Sequence, residues 1–569
     1  MLVLIIFLLT LLGILIRPFK LKIWVFSSVG AAACIALKLV SLQDLKLIFS
    51  LIWDSCLTLI ALIIISLCLQ ALGFFEWLIF AVLKLCQRLK FKDKAAKIQA
   101  QNSNLALNSS QNSLTPPANS QDNKAFNTLF TSQKARDFSQ NFTAPQSNTA
   151  LNLNAQNLSN SNLTLNLSQI RPQRLKFSSL ANSAKFVAQT LKFHSTANAN
   201  FSAQKPSQAP LFAPRNAPNT LIISAKALFI ALCILCALCS VVLANDGAIL
   251  ILTPLVLGLF LRAKSVDTNA VLAFLFAISF VCDASSNALI ISNLTNIITA
   301  NYFTLGFADF AKTMFLPNLL GLLAAISLFL LVFRKALRTH LTFRAPTIPK
   351  LSGKFFAFYL ALLAFFVASF FISREFKLPL SLNCLVFALF LLVILWHKAP
   401  KKATTALKNA PFSIIIFVFG LFVVVFALSK LDINEATSAL LSTLSQDKFT
   451  GIFTLASLSA LFSSVFNNLP MVLFGDLLLG DFFANLAQNS SSFSVINEPN
   501  FKESLIYAHL LGCNIGSKLT PIGSLCTLLW LALLAQKGVN FSLKSYLKFS
   551  LIFTFATLFA ACFGLWLVC

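Results

Sequence analysis

The sequence predicts an all-α polytopic membrane protein, and three observations lead to this fold class. Hydrophobic residues make up 57% of the 569 residues and charged residues only 11%. The mean hydropathy is +0.80, well above that of soluble domains. Apolar runs recur along most of the chain, many of them near the roughly 17–25 residues that cross a ~30 Å hydrocarbon core. We therefore expect about 10–13 transmembrane segments, since several of the runs are short or broken and not every run spans the bilayer.

The apolar runs divide the chain into two hydrophobic halves. The first run, 1–16, is interpreted as a membrane helix because it has neither a basic amino-terminal region nor a small-residue cleavage site. Segments broken by Asn, Gly or Pro are typical of transporters, in which irregular backbone lines a polar site. The runs lie at 1–16, 22–42, 46–72, 219–243, 247–262, 268–282, 310–333, 354–373, 379–396, 412–429, 450–466, 502–513, 519–535 and 546–568.

Four regions follow from this pattern. Residues 1–92 are the first membrane helices of one repeat, and 73–89 within them carries Glu76 among aromatic residues, which favours an interfacial helix. Residues 93–217 are rich in Asn, Ser and Gln and are predicted to be a disordered cytoplasmic insert. Residues 218–345 complete the first repeat, and 346–569 form the second.

The net charge of +26 indicates membrane orientation and not nucleic-acid binding. Lys and Arg stand mainly between apolar runs, as the positive-inside rule requires. With the spans alternating, the amino terminus lies outside and the insert inside. The clusters assigned to the cytoplasm are Arg17/Lys20/Lys22, 84–97, Arg262/Lys264, 334–344 and 398–402.

An internal repeat supports the division into halves. The segment 282–286 (CDASS) recurs as 513–517 (CNIGS), at a constant offset of 231 residues. Each copy follows an Asn-containing interruption, at 244–247 (ANDG) and 467–470 (NNLP). Paired broken segments of this kind indicate a binding site between repeats.

Asp246 and Asp283 are carboxylates flanked by long apolar runs, a costly position that usually marks an ion or proton pathway. The alternative is that each caps backbone N–H groups at a helix break. Lys518 is an intramembrane cation that either pairs with one of these carboxylates or extends to the membrane surface. Asp54 is similarly placed but has no counterpart in the repeat, so we give it less weight.

Hydroxyl and amide side chains cluster at 285–296 and again at 514–524, at a density that no lipid-facing helix would carry. Neutral donors and acceptors favour a polar neutral solute or a partly dehydrated cation, and the absence of a nearby Arg disfavours a polyanion.

Other chemical functions find little support. Cys233, Cys236 and Cys239 drift around a helix and do not converge on one atom, so we interpret them as packing residues and the thirteen cysteines as free thiols. The segment 512–518 (GCNIGSK) lacks the spacing of a phosphate-binding loop. We predict no metal site, no cofactor and no catalytic constellation, hence no enzyme.

The segments that carry these features resemble the ArsB family of arsenite carriers, within the ion transporter superfamily. They read IIISLCLQALGFFEW (63–77), LANDGAILILTP (243–254), CDASSNALIISNLTNI (282–297), NNLPMVLFGD (467–476) and GCNIGSKLTPIGSLCTLLWLALLAQK (512–537). The resemblance covers both halves, 1–92 and 219–569. The last string is long enough to be highly specific.

This resemblance implies efflux of arsenite or antimonite across the bacterial inner membrane, driven by protons, and in some members association with a soluble arsenite-stimulated ATPase. It further implies two inverted repeats with a re-entrant hairpin in each. Carried over by position, the polar tip residues are Asn245, Asp246, Asp283, Ser292, Asn293, Asn296, Asn467, Asn468, Thr520, Gly523 and Ser524. Of these we assign proton coupling to Asp246 and Asp283, together with the intramembrane cation Lys518, and substrate binding to the other nine.

Two features depart from the family pattern. Position 514 is Asn where the family usually has Asp, which assigns more of the expected proton coupling to Asp246 and Asp283. The insert at 93–217 is absent from typical members. Two other functions remain open: a related carrier for Na⁺/H⁺ exchange or a carboxylate, and a membrane enzyme or scaffold.

Overall fold

The computed structural model describes residues 2–16, 21–88, 220–260, 263, 268–344, 351–373, 378–430, 444, 447–488, 500–539 and 541–569. The predicted insert at 93–217 lies outside these residues. The first half contains α1 (Leu2–Ile16), α2 (Ile23–Ala36), α3 (Leu42–Leu72), α4 (74–88), α5 (Ala225–Leu243), α6 (Asn245–Phe260), α7 (Thr268–Ala284), α8 (Leu294–Tyr302), α9 (Phe307–Val332) and α10 (Arg334–Leu337). The second half contains α11 (Gly353–Ser373), α12 (Leu380–Lys398), α13 (Pro400–Lys408), α14 (Ile414–Ser429), α15 (Lys448–Phe466), α16 (Asn468–Gln488), α17 (Phe501–Gly516), α18 (Leu525–Gln536) and α19 (Leu543–Val568).

The helical, polytopic prediction is confirmed. Among the described residues, 7 helices are long and apolar enough to cross a bilayer, namely α3, α5, α9, α11, α12, α15 and α19. Shorter apolar helices accompany them: α1, α2, α6, α7, α14 and α18. Large apolar side chains such as Leu331, Phe365 and Phe559 lie exposed on the outside, as lipid contact requires.

Helix α16 was not among the predicted apolar runs. Asp476, Asp481, Gly475 and Gly480 lower the hydropathy of this segment. The sequence pattern therefore did not identify it as a membrane helix. The helix nevertheless runs unbroken from Asn468 to Gln488 and packs against α14, α15 and α17.

The prediction of one apolar span over 219–243 was wrong at its start. Thr220–Ser224 form strand β1, which pairs in antiparallel fashion with β2 (His340–Arg344), with Ile222 opposite Thr342. Leu221 and Ile223 are buried whereas Ile222 between them is exposed, which is the two-residue alternation of a strand. Ser224 then caps α5, its hydroxyl accepting a hydrogen bond from the Ala227 N–H.

Helix ends outside the bilayer are capped by their own sequence. Asp447 precedes α15, and its Oδ1 accepts a hydrogen bond of 2.8 Å from the backbone N–H of Thr450. The hydrogen bonds from Thr450 lower the pKa of this exposed carboxyl below its ordinary value. The cap therefore fixes where α15 begins.

Small residues bring α17 against α15. A methyl group at Gly512 would overlap the backbone of Ala456, and one at Gly516 would overlap the Cα of Ala460. The spacing of four residues places both glycines on one face, the small-residue pattern that lets membrane helices approach closely. This contact fixes the end of α17, where several site residues lie.

The two interruptions noted in the sequence share an unusual backbone conformation. Ala244 between α5 and α6 has φ 61° and ψ 151°, and Asn467 between α15 and α16 has φ 77° and ψ 148°. This region is essentially restricted to glycine and costs of order 1–3 kcal/mol for other residues. Such strain at two matching positions is a signature of functional sites.

Candidate functional site

A small polar cleft lies where the interrupted helices restart. Its cavity volume is about 20 Å³, room for roughly one water molecule. Its lining belongs to the first turns of four helices, two from each half: α6, α8, α16 and α18. The lining residues are Asn245, Asp246, Asn293, Leu294, Thr295, Asn468, Leu469, Ser524, Leu525 and Cys526. The cleft is thus a meeting point of four helix amino termini.

Helix amino termini carry unpaired N–H groups and a partial positive charge, so they favour electron-rich ligand atoms. Here the local sequence satisfies some of these donors. Asn293 Oδ1 accepts from the Thr295 N–H at 3.3 Å, and Asn467 Oδ1 accepts from the Leu469 N–H at 3.3 Å. The N–H of Asn468 donates to the Gly523 carbonyl at 2.8 Å, which ties the two interruptions of the second half together.

Asp246 is the one carboxylate among the described lining residues. It occupies the first turn of α6, where the positive end of the helix stabilises a negative charge. The thiol of Cys526, in the first turn of α18, donates a hydrogen bond to its Oδ1. The two halves of the molecule therefore meet at this carboxylate.

Asp283 lies directly behind the cleft in a buried ion pair. Its Oδ2 is 2.7 Å from the ammonium nitrogen of Lys518, and both side chains are almost completely buried. Asn245 Nδ2 donates to its Oδ1 at 3.0 Å and Ser524 Oγ donates to its Oδ2 at 3.2 Å. Two cleft-lining residues therefore hold the carboxylate that pairs with Lys518.

Lys518 is fixed by further contacts and does not extend to the membrane surface. Its ammonium donates to Ser279 Oγ at 2.9 Å and to Thr527 Oγ1 at 2.7 Å. Its backbone carbonyl accepts from the hydroxyls of Tyr546 and Ser550. Every proton of the ammonium therefore has a partner, as a buried charge requires.

Asn514 lies at the centre of an amide network between the halves. Its Nδ2 donates to Asn287 Oδ1 and to Asn296 Oδ1, both at 2.8 Å, and its Oδ1 accepts from Thr295 Oγ1 at 2.6 Å. Asn296 Nδ2 in turn donates to the carbonyls of Ser286 and Leu289. The donors of Asn514 are therefore used by two acceptors, a role that a carboxylate cannot fill.

Several predicted residues support the backbone near the cleft without lining it. Ser292 Oγ donates to the Val241 carbonyl at 2.8 Å, and Asn467 Nδ2 donates to the Ile522 carbonyl at 3.0 Å. Thr520 Oγ1 donates to the Ser464 carbonyl at 2.5 Å. A methyl group at Gly523 would overlap the Ser517 carbonyl oxygen. These residues fix the backbone at the helix interruptions. Asn245, Asn293, Asn468 and Ser524 lie at the same interruptions and line the cleft.

Besides the three leucines of the lining, the sequence interpretation missed two lining residues with a hydroxyl or thiol group, Thr295 and Cys526. Thr295 stands beside Asn293 within a quoted motif, so its hydroxyl was a detectable signal. Cys526 was classed with the packing cysteines because nothing in its apolar surroundings distinguishes it. All thirteen cysteines are free thiols.

Asp54 lies in a separate polar contact of α3. Its Oδ1 accepts from the Ser381 N–H at 3.0 Å, and its Oδ2 accepts from Asn301 Nδ2 at 3.2 Å. The carboxylate thereby joins α3 to the start of α12 and to α8. It is not part of the cleft lining.

Membrane-spanning helices around a polar cleft of paired helix interruptions define a multi-pass membrane transporter. Two segments of the chain, 2–92 and 222–569, match the family described as "ArsB: Arsenical pump membrane protein". The chain belongs to this family. The residues between the two matched segments, which include the predicted insert, lie outside the match.

Curated relatives agree with this assignment. The chain is 34% identical over 340 residues to an arsenical pump membrane protein of Escherichia coli K12, covering 59% of this chain and 76% of the relative. It is equally similar to the arsenical pump membrane protein of Shigella flexneri, over the same shares. It is 25% identical over 339 residues to a putative arsenical pump membrane protein of Bacillus subtilis, covering 56% and 74%. The protein is a multi-pass bacterial membrane protein, and its family is one of transporters and not of catalytic enzymes.

Proposed function

We propose that this protein exports arsenite, and also antimonite, across the inner membrane in exchange for protons. The observation that carries the proposal is the cleft at which four helix amino termini from both halves meet. It joins amide and hydroxyl side chains to a single described carboxylate. The family relationship supplies the class of solute.

The lining suits the chemistry of arsenite. At neutral pH arsenite is mainly the uncharged trihydroxide, which both donates and accepts hydrogen bonds. Asn245, Asn293 and Asn468 offer amide donors and acceptors, and Ser524 a hydroxyl. Residual N–H groups at the helix termini favour the oxygen atoms of the solute. The described lining contains no Arg, which disfavours a dicarboxylate as the solute.

Asp246 couples the binding of a proton to the binding of the solute. Cys526 donates to Oδ1, so Oδ2 of the ionised carboxylate is the oxygen that can accept a hydrogen bond from a solute hydroxyl, and a proton on Oδ2 turns that oxygen into a donor. Proton and solute therefore compete for one group, and this competition makes transport an exchange. Asp283 and Lys518 form an ion pair behind the cleft, and Asp283 accepts hydrogen bonds from Asn245 and Ser524. A change in the protonation of Asp283 therefore changes how these two lining residues are held.

The movement we propose is alternating access between two inverted repeats. The shared backbone conformation of Ala244 and Asn467 supports this symmetry, as do the extended N-cap residues Asn293 and Ser524, which stand at the repeat offset of 231 residues. In this scheme each repeat contributes a re-entrant hairpin, and the solute lies between the hairpin tips.

Everted membrane vesicles test the proposal. The protein is expected to accumulate arsenite when a pH gradient is imposed without ATP, and Asp246→Asn is expected to abolish this accumulation. Asp283→Asn is expected to act in the same direction, and Asp481→Asn, at an exposed position of α16, serves as the matched control. Membrane expression and the elution profile in detergent are measured for each variant.

The proposal is wrong if wild-type vesicles accumulate no arsenite under a pH gradient. It is also wrong if Asp246→Asn and Asp283→Asn both retain full pH-driven transport. Accumulation that requires ATP and ignores the pH gradient would assign the driving force to an ATPase partner. Antimonite in the same assay tests the second solute.

A further inference from the structure

Asp476 is a fully buried carboxylate that the proposed exchange cycle does not use. It lies in the middle of α16, where its side chain is 0% exposed. Its Oδ2 accepts a hydrogen bond of 2.9 Å from Thr299 Oγ1. Its Oδ1 is buried and has no hydrogen-bond partner. Such an orphaned atom is rare in native proteins and calls for an explanation.

Polar side chains of two neighbouring helices approach α16 on either side of Asp476. A methyl group at Gly475 would overlap the ring of His509 from α17, and one at Gly480 would overlap the hydroxyl of Tyr302 from α8. Gly475, one residue before Asp476, therefore leaves room for the ring of His509. Gly480, four residues after Asp476, leaves room for the ring of Tyr302. Cys513 also lies on α17, one turn beyond His509.

No described cation pairs with Asp476. His509 Nε2 lies 3.3 Å from the Val472 carbonyl, which can only accept, so this nitrogen carries a proton. His509 Nδ1 lies 2.7 Å from Ser459 Oγ and accepts from that hydroxyl in the neutral ring. Helix α14 contains no titratable side chain, and Lys448, the cation of α15, donates to the Cys569 carbonyl at 2.7 Å.

Neither protonation state of Asp476 is fully satisfied by these surroundings. An ionised carboxylate would be a buried charge without a described cation, and a neutral carboxyl that donates from Oδ2 to Thr299 Oγ1 would still leave Oδ1 without a donor. A rigid structural carboxylate would have complete partners in one of the two states. An incomplete set in both states is expected of a group that gains and loses a proton during a conformational cycle.

We propose that Asp476 is a second proton-binding carboxyl, located in the half of the molecule where position 514 carries an amide. In the proposed step, a proton delivered by water adds to Oδ1 and later leaves from the same atom, without any transfer of electrons. Tyr302, whose hydroxyl lies against Gly480 one turn after Asp476, is half-buried. The role rests on the proposed proton-coupled export.

Helix α8 connects this carboxyl to the cleft. Thr299, which donates to Asp476, stands one helical turn after Thr295, which lines the cleft and donates to Asn514. A shift of α8 that follows protonation of Asp476 therefore moves a wall of the cleft. Helix α8 thus couples the protonation state of Asp476 to the position of the solute site.

Reconstituted proteoliposomes test the inference with two readouts. Arsenite exchange at equal pH on both sides measures solute binding and movement alone, whereas accumulation under a pH gradient, with a pH-sensitive dye, measures coupling. Asp476→Asn preserves shape and an acceptor for Thr299, so we expect exchange to persist while fewer protons move per arsenite and pH-driven accumulation falls. Asp481→Asn, on the same helix but exposed, is expected to behave like the wild type in both readouts.

A second variant keeps the test independent of Asp476→Asn folding. Thr299→Val removes the hydrogen bond that stabilises the ionised carboxylate, so the pH of half-maximal transport is expected to move upward. Unchanged proton flux per arsenite in Asp476→Asn, or an unchanged pH profile in Thr299→Val, would overturn the role of Asp476. A wild-type protein that transports no arsenite under a pH gradient would instead refute the proposed function.

Discussion

The buried ion pair behind the cleft yields the most quantitative prediction. Replacing Lys518 by Met removes the ammonium but keeps a side chain of similar length. The Asp283 carboxylate would then remain buried with only the hydrogen bonds from Asn245 and Ser524. Because the pair is almost completely inaccessible to water, solvent cannot take the place of the lost cation.

The magnitude follows from the structure. Removing one partner of a buried ion pair costs about 3–5 kcal/mol, since an uncompensated charge remains. The two remaining hydrogen bonds to the carboxylate stabilise it in part, so we expect Lys518→Met to lower the free energy of unfolding by about 3 kcal/mol. Asp283→Asn leaves the ammonium with Ser279 and Thr527 and is expected to cost a similar amount.

The double variant separates the ion pair from other effects. Lys518→Met combined with Asp283→Asn leaves no buried charge at this position, so we expect its stability to exceed that of either single variant, with a coupling energy of about 2–3 kcal/mol. Unfolding of the purified protein in one detergent, followed by intrinsic fluorescence at pH 7, measures all four proteins. Strictly additive losses would refute the reasoning, because they would mean that the two charges do not stabilise each other.

Three further predictions concern positions that fix the site. Asn514→Asp is expected to destabilise the protein by about 1–3 kcal/mol in the same unfolding assay, because a carboxylate cannot donate to two amide oxygens; unchanged stability would contradict the amide network. Gly516→Ala is expected to cost about 1–3 kcal/mol through overlap with Ala460, whereas Gly258→Ala, with open space around its Cβ, is expected to be neutral or stabilising; equal effects would show that α17 can move away from α15. Asp447→Ala is expected to cost about 1 kcal/mol at pH 7 through loss of the cap. Because its folded pKa is lowered, that contribution is present above the ordinary carboxyl value of 3.8 and shrinks as the pH falls through the folded pKa, so a loss independent of pH would contradict the role of the charge.

Periodicity and hydropathy predicted most of the fold. Apolar runs beside the Asn-containing interruptions gave α6 and α15 with bounds close to those observed. Strand β1 was missed because its five residues are as apolar as the helix that follows, and only pairing with β2 distinguishes them. Helix α16 was missed because its two Asp and two central Gly lower its hydropathy, although burial by neighbouring helices compensates for these residues.

The grouping of the intramembrane polar residues was predicted in outline, whereas their roles in transport stay predictions. Intramembrane polarity identified Asp246, Asp283 and Lys518, and the repeat placed them near each other. The sequence left two partners open for Lys518, because only tertiary packing decides that Asp283 is the closer carboxylate. It also gave Asp476 no weight, although the rule that a carboxylate within apolar surroundings marks function applies equally to that residue.

Counting protons and arsenite together in proteoliposomes tests the central claim most directly. Purified protein is reconstituted without any ATPase, a pH gradient is imposed, and arsenite movement and proton flux are recorded in the same vesicles. We predict that arsenite moves against its gradient with a fixed ratio of counter-moving protons, and that Asp246→Asn abolishes both fluxes. Arsenite accumulation without proton movement, or proton flux that arsenite does not change, would contradict the account.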